Sequence, residues 1–195
     1  MGRFSCGLLH LEHGGDSANE EGEEGGVVQG HDLSAVLQEE LMQRIRLLTI
    51  GTLKTPWVRE GCGEYRKRMS SLAFFDIEEL PASKENRPER QVREESDRLL
   101  KAFGGEDALV VLDVTGKELD TVAFSEYLGE KRDHGLSVTF VIGGAYGLDD
   151  RVRERADLVL SLSKMTLPHE LCRLVFLEAL YRSLDVLRGG KYHHA

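Results

Sequence analysis

Leu162-Ser163-Lys164-Met165-Thr166-Leu167-Pro168-His169 decides how this 195-residue chain is read. The stretch follows a short apolar run over 158–161 and opens an apolar helical pattern that continues over 168–187. Upstream, an apolar run over 137–142 ends in Ile142-Gly143-Gly144-Ala145-Tyr146-Gly147-Leu148 and leads into a short helical segment over 149–156. Two strand ends followed by loops, in a chain that alternates strands with helices, predict a ligand crevice at the carboxyl edge of a parallel sheet.

Working outward, the same alternation extends back to residue 42. A buried strand over 46–50 runs into Gly51, and a helix over 56–69 carries Pro56 at its first turn, where the missing N–H costs nothing. A strand over 73–80 precedes a charged helix over 88–102 whose apolar stripe is thin: Val92, Leu99 and Phe103. The runs 108–113 and 137–142 are continuously apolar, as expected of strands covered on both faces, with a helix over 121–134 between them. Strands alternating with helices imply right-handed crossovers and a parallel sheet. The expected class is α/β.

Composition narrows the rest. The formal net charge is −9, but residues 1–41 carry −8 of it and residues 42–195 only −1. The folded part is therefore nearly neutral, and its charge neither demands nor excludes a nucleic-acid partner. Residues 1–41 are glycine-rich and acidic, too poor in apolar surface to offset the entropy of ordering, and are expected to be a disordered extension. The abrupt change at Met42 suggests that the natural start lies there, with the domain spanning 42–195. No run of about 18 apolar residues suggests a membrane span, and no basic segment followed by an apolar core suggests a secretory signal. Three widely spaced cysteines (Cys6, Cys62, Cys172) fit a reduced, cytoplasmic protein. Cys6, His10 and His13 have a loosely metal-like spacing without a fourth ligand, so no metal is expected.

The glycine turn over 143–147 lets the backbone bend sharply and approach a ligand, yet it is neither a dinucleotide fingerprint nor a phosphate loop. Asp149 and Asp150 would also repel a pyrophosphate at the next helix. A plain strand-to-helix turn explains it equally well. The loop 162–167 offers main-chain groups for an adenine edge and apolar walls from Leu162, Met165 and Leu167; a connection capped by Thr166 is the simpler reading. In the last helix, Glu178, Arg182 and Asp185 share one narrow arc and Arg173 projects roughly opposite. The rest is so apolar that it needs cover from more than one side, which favours a subunit interface. Arg182 follows Glu178 by four residues, the favourable order for an ion pair. The tail Arg188-Gly189-Gly190-Lys191-Tyr192-His193-His194 gathers groups suited to phosphate contact, base stacking and proton transfer, although a solvated terminus is the commoner meaning.

Taken in order, Leu47-Leu48-Thr49-Ile50-Gly51, Leu112-Asp113-Val114-Thr115-Gly116-Lys117, the glycine turn, the loop 162–169, Glu178-Ala179-Leu180-Tyr181-Arg182 and Tyr192-His193-His194 form a pattern. It resembles the bacterial SPOUT-class methyltransferases that act on pseudouridine N3 in 23S ribosomal RNA. The match covers residues 42–195 and none of 1–41. The resemblance implies a trefoil knot in the C-terminal third, S-adenosylmethionine bound in it, and an obligate homodimer joined through the last helix. It places donor contacts on Leu112, Gly143 and Leu162, Ser163, Lys164, Met165, Thr166 and Leu167. It places His169, Arg182, Tyr192 and His193 near the substrate. Ala145 departs from the family, which often has Pro or Ser there, but a backbone-built pocket survives a methyl group; the Gly189-Gly190 pair is also a variable point.

The implied reaction moves a methyl group to N3 of a pseudouridine in 23S rRNA. Enzyme assistance would be positioning and stabilisation of the developing uracil anion by His193 and Arg182, with Tyr192 or His169 holding the base. No general base is identifiable. Near-neutral charge suits a substrate presented by an assembled ribosome better than naked RNA. Two other classes stand beside this reading: a nicotinamide oxidoreductase, disfavoured by the missing fingerprint, and a non-catalytic ribosome-assembly factor of the same fold.

Overall fold

β1 (Arg44–Ile50) pairs in parallel with β2 (Phe74–Leu80) on one side and with β4 (Val138–Ile142) on the other. β3 (Ala108–Glu118) lies between β4 and β5 (Leu158–Ser161), also in parallel. The resulting five-stranded sheet has the order β2-β1-β4-β3-β5. The computed structural model describes residues 42–105 and 107–192. The expectations for residues 1–41, including Cys6, His10 and His13, and for His193 and His194 lie outside the described residues.

Helices cover both faces, as the continuously apolar strands require. Ile45, Leu47, Val110, Leu112, Phe140 and Ile142 pack against α1 (Pro56–Met69), α3 (Thr121–Asp133) and α5 (His169–Leu187). Leu48, Ile50, Leu109, Val111 and Val141 point the other way, onto α2 (Pro88–Phe103) and α4 (Asp150–Glu154). Side chains alternate between faces along each strand, so two cores form back to back. Phe140 anchors the first core, with the Phe176 ring 4.7 Å away and Phe124 edge-on at 6.0 Å. Pro56 and Pro88 open their helices, and the Asp120 carboxylate caps α3 by accepting from Ala123 N at 2.8 Å.

Three details differ from the sequence reading. β3 runs on to Glu118 instead of ending at Asp113, because its chain bulges out after Leu112 and returns to pair again with β5: Leu160 faces both Leu112 and Lys117. The returning residues are polar and exposed, so no apolar run marks them. At Gly116 the crossing is so close that a Cβ would lie 2.6 Å from the Val159 carbonyl oxygen. Arg173 is only 2% exposed, its Nη1 3.0 Å from Glu79 Oε1 and its Nη2 donating to the Ile50 and Gly51 carbonyls. The third detail is at α5, which starts at His169, one residue late, and Thr166 does not cap it. No helix among the described residues is long and apolar enough to cross a membrane.

Candidate active site

The carboxyl ends of β3, β4 and β5 surround a cavity of about 370 Å³, within the range of small-ligand sites. Leu112 and Asp113 enter from β3, Gly143 to Leu148 from the turn after β4, and Leu160 from β5; the following loop and the start of α5 complete the wall.

The turn after β4 is glycine-built for two separate reasons. Gly147 has φ +81°, a left-handed conformation that side chains resist. At Gly143 a Cβ would stand 2.8 Å from both the Gly147 carbonyl oxygen and Leu148 Cγ. Gly144 presses on the buried Glu95 of α2, whose carboxylate would collide with any Cβ there. Glu95 Oε1 accepts from Ser83 N at 2.9 Å and from Gln91 Nε2 at 3.2 Å. The turn is thus held open to the cavity by steric necessity.

The loop after β5 is held by short-range hydrogen bonds: Ser161 Oγ donates to Ser163 O, and Met165 N donates to Ser163 Oγ, both at 3.0 Å. Leu162, Ser163, Met165, Thr166, Leu167 and His169 all line the cavity. Lys164 does not; its side chain is 85% exposed and reaches Glu118 at 3.6 Å, so only its backbone shares the loop. The wall offers main-chain groups and apolar surface and little fixed charge. Burial alone would raise the Asp113 carboxyl, but hydrogen bonds from Thr115 and the nearby Arg153 guanidinium outweigh it and hold the group below the usual carboxylate range. Burial pushes the Cys172 thiol up to about 11, so this wall residue stays protonated and is no nucleophile at neutral pH. Asp149 and Asp150 pair with Arg151 and Arg153 at 2.5 and 2.6 Å, which offsets the repulsion expected of them.

The three described substrate-side residues, His169, Arg182 and Tyr192, are not brought together in one chain. His169 sits at the first turn of α5 and lines the cavity, whereas Arg182 lies 13 residues further along that helix, about 20 Å at 1.5 Å per residue. Arg182 donates to Glu178 from Nε at 3.1 Å and lies over the Tyr192 ring at 5.0 Å. Tyr192 packs on Tyr181 at 4.9 Å, and its backbone N–H donates to Asp185 Oδ2 at 2.9 Å. A straight helix separates the two groups, and helix length was legible in the sequence.

Sequence reasoning missed Asp113, Tyr146, Leu148 and Cys172 as wall residues. Asp113 follows Leu112 where the apolar run of β3 ends, and Leu148 closes the turn that Gly143 opens, so the carboxyl-edge rule that found Leu112 and Gly143 would have reached them too. Cys172 carried no signal beyond its helical spacing from His169. Among the described residues no group of three metal-ligating side chains converges.

The comparisons with known proteins agree with one another. A family model described as "Predicted SPOUT methyltransferase" matches residues 43–193. A Trichlorobacter lovleyi protein named ribosomal RNA large subunit methyltransferase H is 40% identical over 152 residues, covering 77% of this chain and 99% of that protein. A Streptococcus suis protein of the same name is 35% identical over 157 residues, with 77% and 99% covered. The crystal structure of a probable methyltransferase from Bordetella pertussis Tohama I matches with a TM-score of 0.51 at 14% identity, over 76% of this chain and 99% of that one, a likeness of fold alone. A family model that runs from the start of β1 into the C-terminal tail, and relatives matched along nearly their whole length, place this chain in the SPOUT methyltransferase family.

Proposed function

We propose that the protein transfers the methyl group of S-adenosylmethionine to N3 of a pseudouridine in large-subunit (23S) ribosomal RNA, acting on the assembled ribosome in the cytoplasm. The cavity at the three strand ends carries this reading. Its size and its main-chain and apolar lining fit an uncharged adenosine moiety, and its acidic rim residues are paired rather than free. Leu112, Gly143 and the loop from Leu162 to Leu167 would hold the donor, Lys164 through its backbone alone. When bound, the donor supplies a methyl group already activated on a sulfonium. What remains for the protein is to place the base and to stabilise charge on its ring as N3 loses its proton.

His169, beside the cavity, is suited to orienting the base. Arg182, near the other end of α5, and Tyr192, which packs against it there, cannot reach that cavity from the same chain if α5 stays straight; His193 follows Tyr192 in sequence. A homodimer through α5 answers this separation. A two-fold contact laying two α5 helices antiparallel would set the C-terminal end of one beside the N-terminal end of its partner. Leu171, Val175 and Val186, only partly buried on the side of α5 away from its own core, favour such a contact. Threading of the C-terminal third as a trefoil knot belongs to the same proposal, and the close crossing at Gly116 favours it.

Tritium transfer from labelled donor to ribosomes lacking this modification tests the reaction. The expected result is one methyl per large subunit, placed on pseudouridine, with much weaker transfer to protein-free RNA. A protein that binds donor and ribosomes without transfer is a non-catalytic assembly factor, and the reading fails. With His193→Ala, turnover is expected to fall by about 100-fold, while donor and ribosome affinities hold.

A further inference from the structure

A second cavity, of about 500 Å³, lies across the first turns of α5 from the donor cavity. His169 and Cys172 line the one, and Arg173 lines the other together with Arg59 and Arg66 of α1. Its floor is the buried Arg173, which Glu79 and two backbone carbonyls hold in place while Nε has no partner. Arg59 and Arg66 form the rim. They are exposed, two helical turns apart on one face of α1, about 10 Å along the axis. Arg59 Nη2 donates to the Leu53 carbonyl at 2.7 Å, which leans the guanidinium over the cavity mouth. Gly63 lies between them in the wall, and a Cβ there would meet nothing within 4 Å, so the mouth is open.

Lys54, Arg59, Arg66 and Lys67 make no ion pair with any described residue, whereas three nearby carboxylates have other partners. Glu79 pairs with Arg173, Glu64 with Arg68 at 2.9 Å, and Glu170 accepts from the Lys54 and Thr55 amides. In a domain carrying only −1 over 42–195, this gathers on one face four cations without an ion-pair partner among the described residues, directly beside the cavity where the reacting base would sit.

We infer that this arginine-lined cavity is a docking site for the phosphodiester backbone of the substrate RNA, gripping nucleotides that flank the target base. The inference rests on the reading of the protein as an RNA methyltransferase and adds to it the surface by which RNA is held. Guanidinium groups present paired N–H donors that match phosphate oxygens, and their contribution is independent of base sequence. Arg173 is the fixed floor and Arg59 and Arg66 the contacts. Near-neutral overall charge and binding of a polyanion are thereby compatible.

Ribosome affinity measured by sedimentation between 0.05 and 0.2 M salt tests the site, using the full chain with Arg59→Gln and Arg66→Gln together. Weakening of about tenfold at 0.1 M salt is expected, with the logarithmic salt slope shallower by about 1.5, the share of two phosphate contacts. Donor affinity by calorimetry stays unchanged. Gly63→Glu, whose Cβ has no atom within 4 Å, weakens ribosome binding likewise, whereas Arg90→Gln with Arg93→Gln, exposed cations on α2, leaves it alone. Wild-type affinity and slope in the α1 variants overturn the inference, as does an equal loss in the α2 pair or a parallel loss of donor affinity. If the wild-type protein neither binds nor methylates ribosomes, the functional reading itself fails, a result separable from these.

Discussion

Gly144 and Gly147 are three residues apart in one turn, yet they are glycine for different physical reasons. At Gly147 only backbone strain opposes a side chain, for a Cβ there meets nothing within 4 Å. At Gly144 the obstacle is the buried Glu95 carboxylate, packed on one side and hydrogen-bonded on the other. Gly147→Ala is therefore expected to cost about 1 kcal/mol. Gly144→Ala overpacks the buried Glu95 carboxyl group and is expected to cost about 2–3 kcal/mol and to weaken donor binding at least tenfold. Urea unfolding and donor calorimetry on the two variants check the ranking, and equal costs would remove the role given to Glu95. Of the donor contacts expected from sequence, those that depend on backbone shape sit around the cavity in the structure. Lys164 does not, because nothing in a sequence tells which side of an irregular loop a long side chain takes. A buried arginine such as Arg173 was illegible for a similar reason: its partners, Glu79 and the end of β1, are about a hundred residues away in the chain.

At the scale of elements, one carboxylate fastens α1 to α5. Glu170, in the first turn of α5, accepts from Lys54 N at 3.0 Å and Thr55 N at 2.9 Å, just ahead of α1. Hydrogen bonds from the Thr55 and then the Lys54 amide hold its carboxyl down at about 2, from the usual 4.5. A depressed carboxyl stabilises the fold above its unfolded value, and that contribution is lost as the pH falls toward the folded one. The gap in denaturation midpoint between wild type and Glu170→Gln is therefore expected to be full at pH 6 and to narrow between about pH 4.5 and 2. A gap that stays constant with pH would show that the amide contacts do not matter. The elements themselves were readable because their signals are local: Pro56 and Pro88 at helix starts, unbroken apolar runs for strands covered on two faces, and glycine where strands end. β3 exceeded its apolar run because its second pairing with β5 is a tertiary event that leaves no periodicity in Val114 to Glu118.

The whole molecule is where the separation within α5 matters. If each active site joins the cavity of one subunit to the tail of the other, two inactive variants can rescue each other. His169→Ala spoils the cavity side and Tyr192→Ala the tail side. A mixed dimer then keeps one site with both halves intact, and random reassortment is expected to restore about a quarter of wild-type activity. Co-expression and assay of methyl transfer check this, and absence of rescue would place both residues in one chain's site. The strand order has a separate consequence in time. β5 has four residues, pairs only with β3, and leads into the loop and the start of α5 that complete the cavity wall. A polypeptide still being synthesised therefore has no complete pocket until the start of α5 has emerged. On the proposed reading, capture of a methyl donor then waits for every residue through Cys172, and products truncated before it lack part of the wall.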